Sequence, residues 1–245
     1  SSIKKSQRII IKDKYFMIKI GFKNLFKNHF KKKYKKDLSI IIYPPLVMGT
    51  LSLLEKTIVS TILKENKINK IFEFGTFFGS TTSIMALNSK ATCKVFSIDL
   101  PTEKKFKNFS FKEFEKIKKK YNVQKQDEND KFLQIAYKKF GPFYIKFLNK
   151  KFKKKIKLLK GDSLYYNFDN YKNSFDMIFI DGGHNYKTIR QDTRNSINMV
   201  KNNGIIMWHD ISSNVHTNVT KFLKTLNLKM YHFEHTMLCY TIIKK

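Results

Sequence analysis

The stretch KIFEFGTFFGSTT, residues 70–82, decides the fold. Its first five residues form a short apolar run opened by a lysine, the pattern of a strand buried on both faces. Two glycines follow four apart, Gly75 and Gly79, and then Ser80, Thr81 and Thr82, residue types that cap a helix start. Gly75 permits a tight turn or a close approach of backbones, and Gly79 lets the helix start lie against a ligand. Strand, glycine loop and helix together make a binding crevice at the carboxyl edge of an open α/β sheet. The spacing Gly-x-x-x-Gly is not the Gly-x-Gly-x-x-Gly of the dinucleotide fingerprint, and no Gly-Lys-Ser/Thr follows, which removes the P-loop.

The same alternation runs outward from this stretch. KVFSI (94–98), IKLLK (156–160), FDMIFI (175–180) and GIIMW (204–208) read as further strands. Helices are expected from 80, over 186–200 and over 215–226, with two closing strands near 229–233 and 237–243. Upstream, Ser52 and Glu55 fit a capping box for a helix reaching about residue 64, with Leu51, Leu54, Ile58 and Ile62 on its apolar face. The pattern predicts an α/β, Rossmann-like, mostly parallel sheet with helices on both faces and an antiparallel edge strand from the closing pair.

Charge is the loudest feature of the composition: 49 basic against 19 acidic residues, a net +30. Alone it would suggest nucleic acid or an anionic membrane. Only Arg8, Arg190 and Arg194 are arginine, however, whereas readers of bases and phosphates favour the bidentate guanidinium. The excess sits on two attachments, +11 over residues 1–38 and +12 over 101–155. In the first, over 13–36, Tyr15, Ile18, Phe22, Leu25, Phe26 and Phe30 recur near helical spacing, as in a basic amphipathic helix. Such a helix would pack on its own domain or on a second subunit, making a homo-oligomer, or lie on a membrane surface. The second is an insertion in a domain spanning 39–245. It leaves the carboxyl edge after the strand at 94–98, so a lysine-rich cover over the site is expected, with Phe111, Phe114 and Ile117 on one helical face. Cys93 and Cys239 stand far apart in apolar surroundings and read as buried free thiols of a reducing compartment. The longest uncharged run, 38–54, is broken by Pro44, Pro45 and Gly49, so a soluble, cytoplasmic protein is expected, peripheral to a membrane at most.

Carboxylates mark the strand ends. Asp99 follows the second core strand twenty residues past Gly79, where a carboxylate can accept both hydroxyls of a ribose. Asp162 follows the third and, with Ser163, could hydrogen-bond an adenine edge. One such aspartate could be a turn former, but Gly or Asp at three successive strand ends argues for a nucleoside ligand. After the fourth strand, FIDGGHNY (179–186) places Asp181 and His184 around a glycine pair that clears room, and the fifth ends in His209 and Asp210.

The segments EFGTFFGSTT, FSIDLP, LKGDSLYYNF and FDMIFIDGGHNYKTIRQDTRNSINMVKNNGIIMWHD resemble the successive motifs of class I S-adenosylmethionine-dependent methyltransferases. The branch is the one with Asp-Gly-x-His-x-Tyr after strand four and Trp-His-Asp after strand five. The likeness covers about 39–243 apart from most of the insertion. It implies a seven-stranded sheet and S-adenosyl-L-methionine as cofactor, held at Glu73, Gly75, Thr76, Gly79, Asp99, Asp162 and Ser163. Phe77 stands where many relatives have a third glycine, which narrows the room beside the methionine part of the cofactor.

Methyl transfer needs an aligned nucleophile, excluded water and a group to take a proton from a hydroxyl. Two arrangements of Asp181, His184, His209 and Asp210 would serve. Asp181, His209 and Asp210 could hold a divalent cation, magnesium or manganese, the imidazole favouring the latter; related O-methyltransferases bind a metal at such positions. Alternatively His184 or His209 is the general base and Asp181 or Asp210 orients it, which makes Asp181, His184 and His209 the catalytic candidates. Blander roles exist: His184 and Asp210 as caps, Trp208 as core, and Arg190 with Asp192 as a solvated pair or subunit contact. The expected reaction is O-methylation of a small polar acceptor, such as a sugar of a surface glycan or a secondary metabolite. The lysine-rich cover suggests an anionic or phosphorylated one. Methylation of RNA through the basic attachments, and non-catalytic cofactor binding, are the rival functions.

Overall fold

The computed structural model describes residues 17–20, 40, 48–103 and 105–245. Its strands, in chain order, are β1 (Met17–Ile20), β2 (Lys70–Phe74), β3 (Lys94–Asp99), β4 (Ile156–Lys160), β5 (Phe175–Ile180), β6 (Val200–Trp208), β7 (Met230–Phe233) and β8 (Cys239–Ile242). They form one sheet in the order β1-β7-β8-β6-β5-β2-β3-β4. Every pairing is parallel except those of β8 with β6 and β7. The mostly parallel α/β sheet is thus as expected. Its antiparallel strand lies one place in from β7, because the closing hairpin sets its second strand, not its first, against β6.

An eighth strand joins the seven implied by the resemblance. β1 falls within 13–36, where an amphipathic helix is expected; these four residues instead pair in register with β7. Without them β7 would leave a row of N–H and C=O groups unpaired, and closing such an edge outweighs a local helical pattern. The rest of the expected helix lies outside the described residues.

Two apolar layers cover the sheet. Helix α1 (Leu53–Glu65) begins at the predicted capping box: Ser52 Oγ accepts from the Glu55 N–H at 3.3 Å and Glu55 Oε2 from the Ser52 N–H at 2.7 Å. It packs Ile58, Val59, Ile62 and Leu63 on one face, beside Met85 and Ala86 of helix α2 (Ser80–Asn88). The other face is covered by Ile189 and Met199 of helix α6 (Tyr186–Met199), and Val219 and Phe222 of helix α7 (Thr217–Leu223). Trp208 is fully buried in this layer and its Nε1–H donates to Thr193 Oγ1 at 2.9 Å, so it is core and not a substrate platform. Cys93 and Cys239 are buried free thiols, and no described helix is long and apolar enough to cross a membrane.

The insertion forms helices α3 (Phe111–Lys118), α4 (Gln126–Phe140) and α5 (Lys150–Lys153), with a 3-10 turn at Phe143–Phe147. It has an aromatic core of its own: Phe114, Phe132, Phe140, Phe143 and Tyr144 close around Phe78, which comes from the glycine loop. Fully burying one phenylalanine stabilises by about 1.5–3 kcal/mol, so Phe78 pins the insertion to the loop. The backbone adds a second tie, Tyr144 N–H to Phe78 C=O at 3.0 Å. Of the predicted helical face Phe114 is buried, whereas Phe111 is 56% exposed because its turn lies at the outer start of α3.

Strand order fixes where a ligand can bind. From β2 the chain steps to β3 and β4 on one side, then crosses to β5 and β6 on the other. The crevice at this reversal lies outside the carboxyl ends of β2 and β5, which carry Gly75 and Asp181.

Candidate active site

At the reversal the two strand ends nearly touch. Gly75 has φ +89°, and a Cβ built on it would lie 2.1 Å from the Asp181 carbonyl oxygen. No other residue type fits. Asp181 therefore emerges directly beside the glycine loop, into a cavity of about 700 Å³.

On one side lie the expected cofactor positions. Gly75, Asp99, Asp162 and Ser163 line the cavity. Asp99 accepts from the N–H groups of Phe77 at 2.8 Å and Leu100 at 2.7 Å, which orient its carboxylate, and burial pushes it up to about 6 against these bonds. Phe77 makes this contact from a left-handed backbone, φ 43°, with its ring stacked on Phe78 at 3.8 Å. A glycine would adopt that conformation more easily, but could not cover the insertion's core. Gly79 starts α2 underneath Ile145 and Pro142 of the insertion, so the insertion and not a ligand fills the space beside it.

Glu73 and Thr76 are not part of the cavity wall. Glu73 is fully buried behind it; its Oε2 accepts from Ser97 Oγ at 2.5 Å and from Thr82 Oγ1, while Thr76 Oγ1 lies 2.6 Å from Ser97 Oγ. Burial pushes Glu73 up to about 8 despite these bonds, so at neutral pH it is a protonated cross-brace joining β2, β3 and α2.

The other side is a chain of acids and imidazoles. His209 Nδ1 lies 3.2 Å from Asp181 Oδ1 and 3.2 Å from Asp210 Oδ2, and its Nε2 lies 3.4 Å from Glu55 Oε1. Burial opposes a charged ring, but Asp210 and Asp181 outweigh it and hold His209 well above its ordinary range. His184 is placed likewise, Nδ1 2.7 Å from Asp130 Oδ1 and Nε2 3.0 Å from Asp210 Oδ2; against burial, these carboxylates push it up to about 10. Asp210 turns back to both rings from a left-handed backbone, φ 62°. Burial alone would raise it, yet His209 and His184 hold it well below the usual carboxylate range. Burial raises Asp181, and the neighbouring His209 only partly offsets this. The neighbouring carboxylates thus favour the protonated form of both rings, and of Asp181 and Asp210 it is Asp181 that is raised. His184 does not cap α6; Asn185 does, accepting from the Thr188 N–H at 3.0 Å.

Of the expected donor set, Asp181 and Asp210 both lie 3.2 Å from Nδ1 of His209, whose other nitrogen faces Glu55. The donor atoms that converge within 4.8 Å of one another among the described residues are Asp181, His184 and Asp210, and separately Asp130, His184 and His216.

Four further side chains escaped the sequence reading. Glu55, read as a helix cap, uses its second oxygen for the Met237 N–H at 2.7 Å and for His209. Asp130 and Tyr137 come from α4 of the insertion, and burial and Asp99 raise the Tyr137 phenol. Asp192 is no solvated partner of Arg190: it is 1% exposed, lines the cavity beneath Gly182, and neither of its oxygens has a hydrogen-bond partner. Burial pushes it up to about 7; Ser163 moderates the shift without reaching hydrogen-bonding geometry. Spacing offered a signal only for Asp192, which shares the cavity-side face of α6 with Thr188.

The cavity wall inverts the charge of the chain. Seven of the 19 acidic residues line it, Glu55, Asp99, Asp130, Asp162, Asp181, Asp192 and Asp210, and among the described residues not one lysine or arginine does. The insertion covers the site as expected, but it turns Asn129, Asp130, Leu133, Gln134 and Tyr137 toward the cavity and keeps its described lysines out of the wall.

Residues 72–211 match the family model described as a methyltransferase domain. No match is found among curated protein sequences. Among solved structures the chain is similar to one described as a caffeoyl-CoA O-methyltransferase from Staphylococcus aureus, at 16% identity and TM-score 0.51, over 80% of this chain and 85% of that one. It is also similar to an SAH-bound methyltransferase from Podospora anserina, at 12% identity and TM-score 0.51, over 80% of each chain. A third, described as an O-methyltransferase from Klebsiella pneumoniae, has 12% identity and TM-score 0.50 over 82% of this chain and 84% of that one. At these identities the likeness is one of fold.

Proposed function

The chain belongs to the methyltransferase-domain family, and on that premise we propose that it transfers a methyl group from S-adenosylmethionine to a hydroxyl of a small, polar, uncharged acceptor, such as a sugar. One observation carries this reading. A cavity at the strand-order reversal has Gly75, Asp99, Asp162 and Ser163 on one side and Asp181 on the other, within a wall of carboxylates.

The residues fit the cofactor. Asp99, oriented by two backbone N–H groups, suits the ribose hydroxyls; Asp162, Ser163 and the unpartnered Asp192 suit an adenine edge; the Gly75 loop suits the methionine part. The bound cofactor would supply a methyl group already activated on a sulfonium. The rest falls to the chain. Carboxylates at the reacting end stabilise positive charge in a site where charges interact more strongly than in water. Asp181 takes the proton of the acceptor hydroxyl, and His209, held by Glu55 and Asp210, fixes its position. Leu133, Tyr137 and Met237 exclude water. A phosphorylated acceptor, suggested by the lysine content, meets no lysine or arginine in the described wall.

Two variants incubated with methyl-labelled cofactor and a panel of polyols test the assignment. Asp181→Asn is expected to lower transfer by about 100-fold or more with cofactor affinity nearly unchanged. Asp99→Asn is expected to weaken cofactor binding by roughly tenfold or more. Full transfer by Asp181→Asn would refute its role, and cofactor binding by the wild type without transfer to any acceptor would leave a binding protein.

A further inference from the structure

Beside the reacting group, on its insertion side, His184 and His216 stack with ring centroids 3.6 Å apart and planes 23° from parallel. The carboxylates around His184 favour its charged form, while burial and the charge on His184 lower His216 to about 4, so the stack pairs a charged ring with a neutral one. His216, at the start of α7, is 8% exposed, and its Nδ1 is buried without a hydrogen-bond partner. That atom lies 3.8 Å from Asp130 Oδ1, too far for a hydrogen bond. The same Asp130 oxygen is 2.7 Å from His184 Nδ1. One ligand atom from each of Asp130, His184 and His216 lies within 4.8 Å of the other two. On the far side of the His184 ring, Nε2 meets Asp210 Oδ2 at 3.0 Å.

We propose that Asp130, His184 and His216 form a binding site for a divalent transition-metal ion, built jointly by the insertion, the loop after β5 and the start of α7. Two imidazoles and one carboxylate are the donors that zinc, manganese, iron or cobalt take, whereas magnesium prefers oxygen alone. Asp210 has the place of the outer carboxylate that fixes a metal-bound imidazole: it accepts the Nε2–H of His184 and so leaves Nδ1 for the ion. The ion would replace the proton shared between His184 and Asp130, and give the orphaned Nδ1 of His216 a partner. All three residues line the cavity, so the coordination positions that the protein leaves open face the acceptor. The site is distinct from the group Asp181, His184 and Asp210, which uses neither insertion nor α7. It does not rest on the methyl-transfer reading, because its test reads metal binding alone.

The full chain is titrated with Co²⁺ and followed by visible absorption, with Zn²⁺ and Mg²⁺ as competitors. A 1:1 cobalt spectrum displaced by Zn²⁺ but not by excess Mg²⁺ is expected. His216→Ala and Asp130→Asn should each weaken binding by about tenfold or more, in the range seen when a metal's ligands or their supports are removed, while Asp181→Asn leaves it within about threefold of wild type. Asp130→Asn keeps shape and size, so its loss cannot come from a cavity; thermal melts of each apo variant establish that it is folded. No cobalt binding below about 1 mM, or binding that survives both His216→Ala and Asp130→Asn, overturns the proposal. Binding lost only in Asp181→Asn overturns it too, and assigns the ion to the other group.

Discussion

The loops after β2, β3 and β4 and those after β5 and β6 bound the same cavity, yet they are built in opposite ways. On the first side the functional groups are held by backbone N–H groups of the strand-end loops themselves. Asp99 is held by backbone N–H groups of Phe77 and Leu100, and Asp162 accepts from the Leu164 N–H at 2.9 Å. On the second side nearly every group is held by a side chain distant in sequence. His184 needs Asp130, 54 residues away, and the Met237 N–H reaches across 182 residues to Glu55, which also holds His209. A glycine loop and an aspartate after a strand recur wherever a nucleoside must fit a sheet edge. The reacting side is assembled by packing, so its chemistry depends on the insertion and on α1 and α7 staying docked.

Three substitutions break or sharpen this contrast. Gly75→Ala, at the seam between the two sides, should be the most damaging. A Cβ 2.1 Å from the Asp181 carbonyl oxygen on a φ of +89° forces β2 and β5 apart, and a loss of at least about 3 kcal/mol is expected in urea unfolding. An unchanged midpoint would show that the strand ends part without cost.

Glu55→Gln addresses the reacting side. Burial would raise Glu55, but His209 and the N–H groups of Met237 and Ser52 outweigh it and lower it from 4.5 to about 2. A carboxyl lowered in this way contributes stability that is present above pH 4.5 and lost as pH falls toward 2. His209, raised above 6.5, contributes stability that is present below 6.5 and lost as pH rises through its folded value. Glu55→Gln should therefore cost roughly 2 kcal/mol at neutral pH and flatten the acid limb of the stability profile. A variant whose melting temperature falls with acid as steeply as the wild type's would show that another carboxylate carries that limb.

Glu73→Gln, beneath the cofactor side, should have the opposite sign. Glu73 keeps its proton up to about pH 8 when folded and loses it near 4.5 when unfolded. The folded state then binds more protons between these values, so stability declines as pH rises from 4.5 to 8 and is level above. Glutamine removes that decline while still accepting from Ser97 and Thr82. A gain of several kcal/mol at pH 8, vanishing toward pH 4.5, is expected from melts across this range. Equal stability at both ends would place the Glu73 proton elsewhere.

Legibility followed the same divide. The strands at 70–74, 156–160 and 175–180 and the capping box at Ser52 could be read because continuous apolar runs and cap chemistry are local signals. The helical pattern across 17–20 misled, because pairing with β7 is a long-range gain that periodicity does not carry. The insertion's lysines, expected over the site, are absent from the described cavity wall, because composition counts charges without saying which way they point. Asp192 was set beside Arg190 as a solvated residue, although only the packing of α6 on β5 shows that it faces the cavity.

By itself the sequence determined the alternation of strands and helices, the glycine turn after 70–74 and the carboxylates at the strand ends, which follow from apolar runs and turn chemistry within a few residues. Only the tertiary structure decided which carboxylates meet His184 and His209, and that a chain of net +30 encloses a wall of seven acids. Those outcomes depend on burial and on charges brought within about 4 Å of one another from distant parts of the chain, where the Coulomb energy is large enough to override the ordinary behaviour of each group.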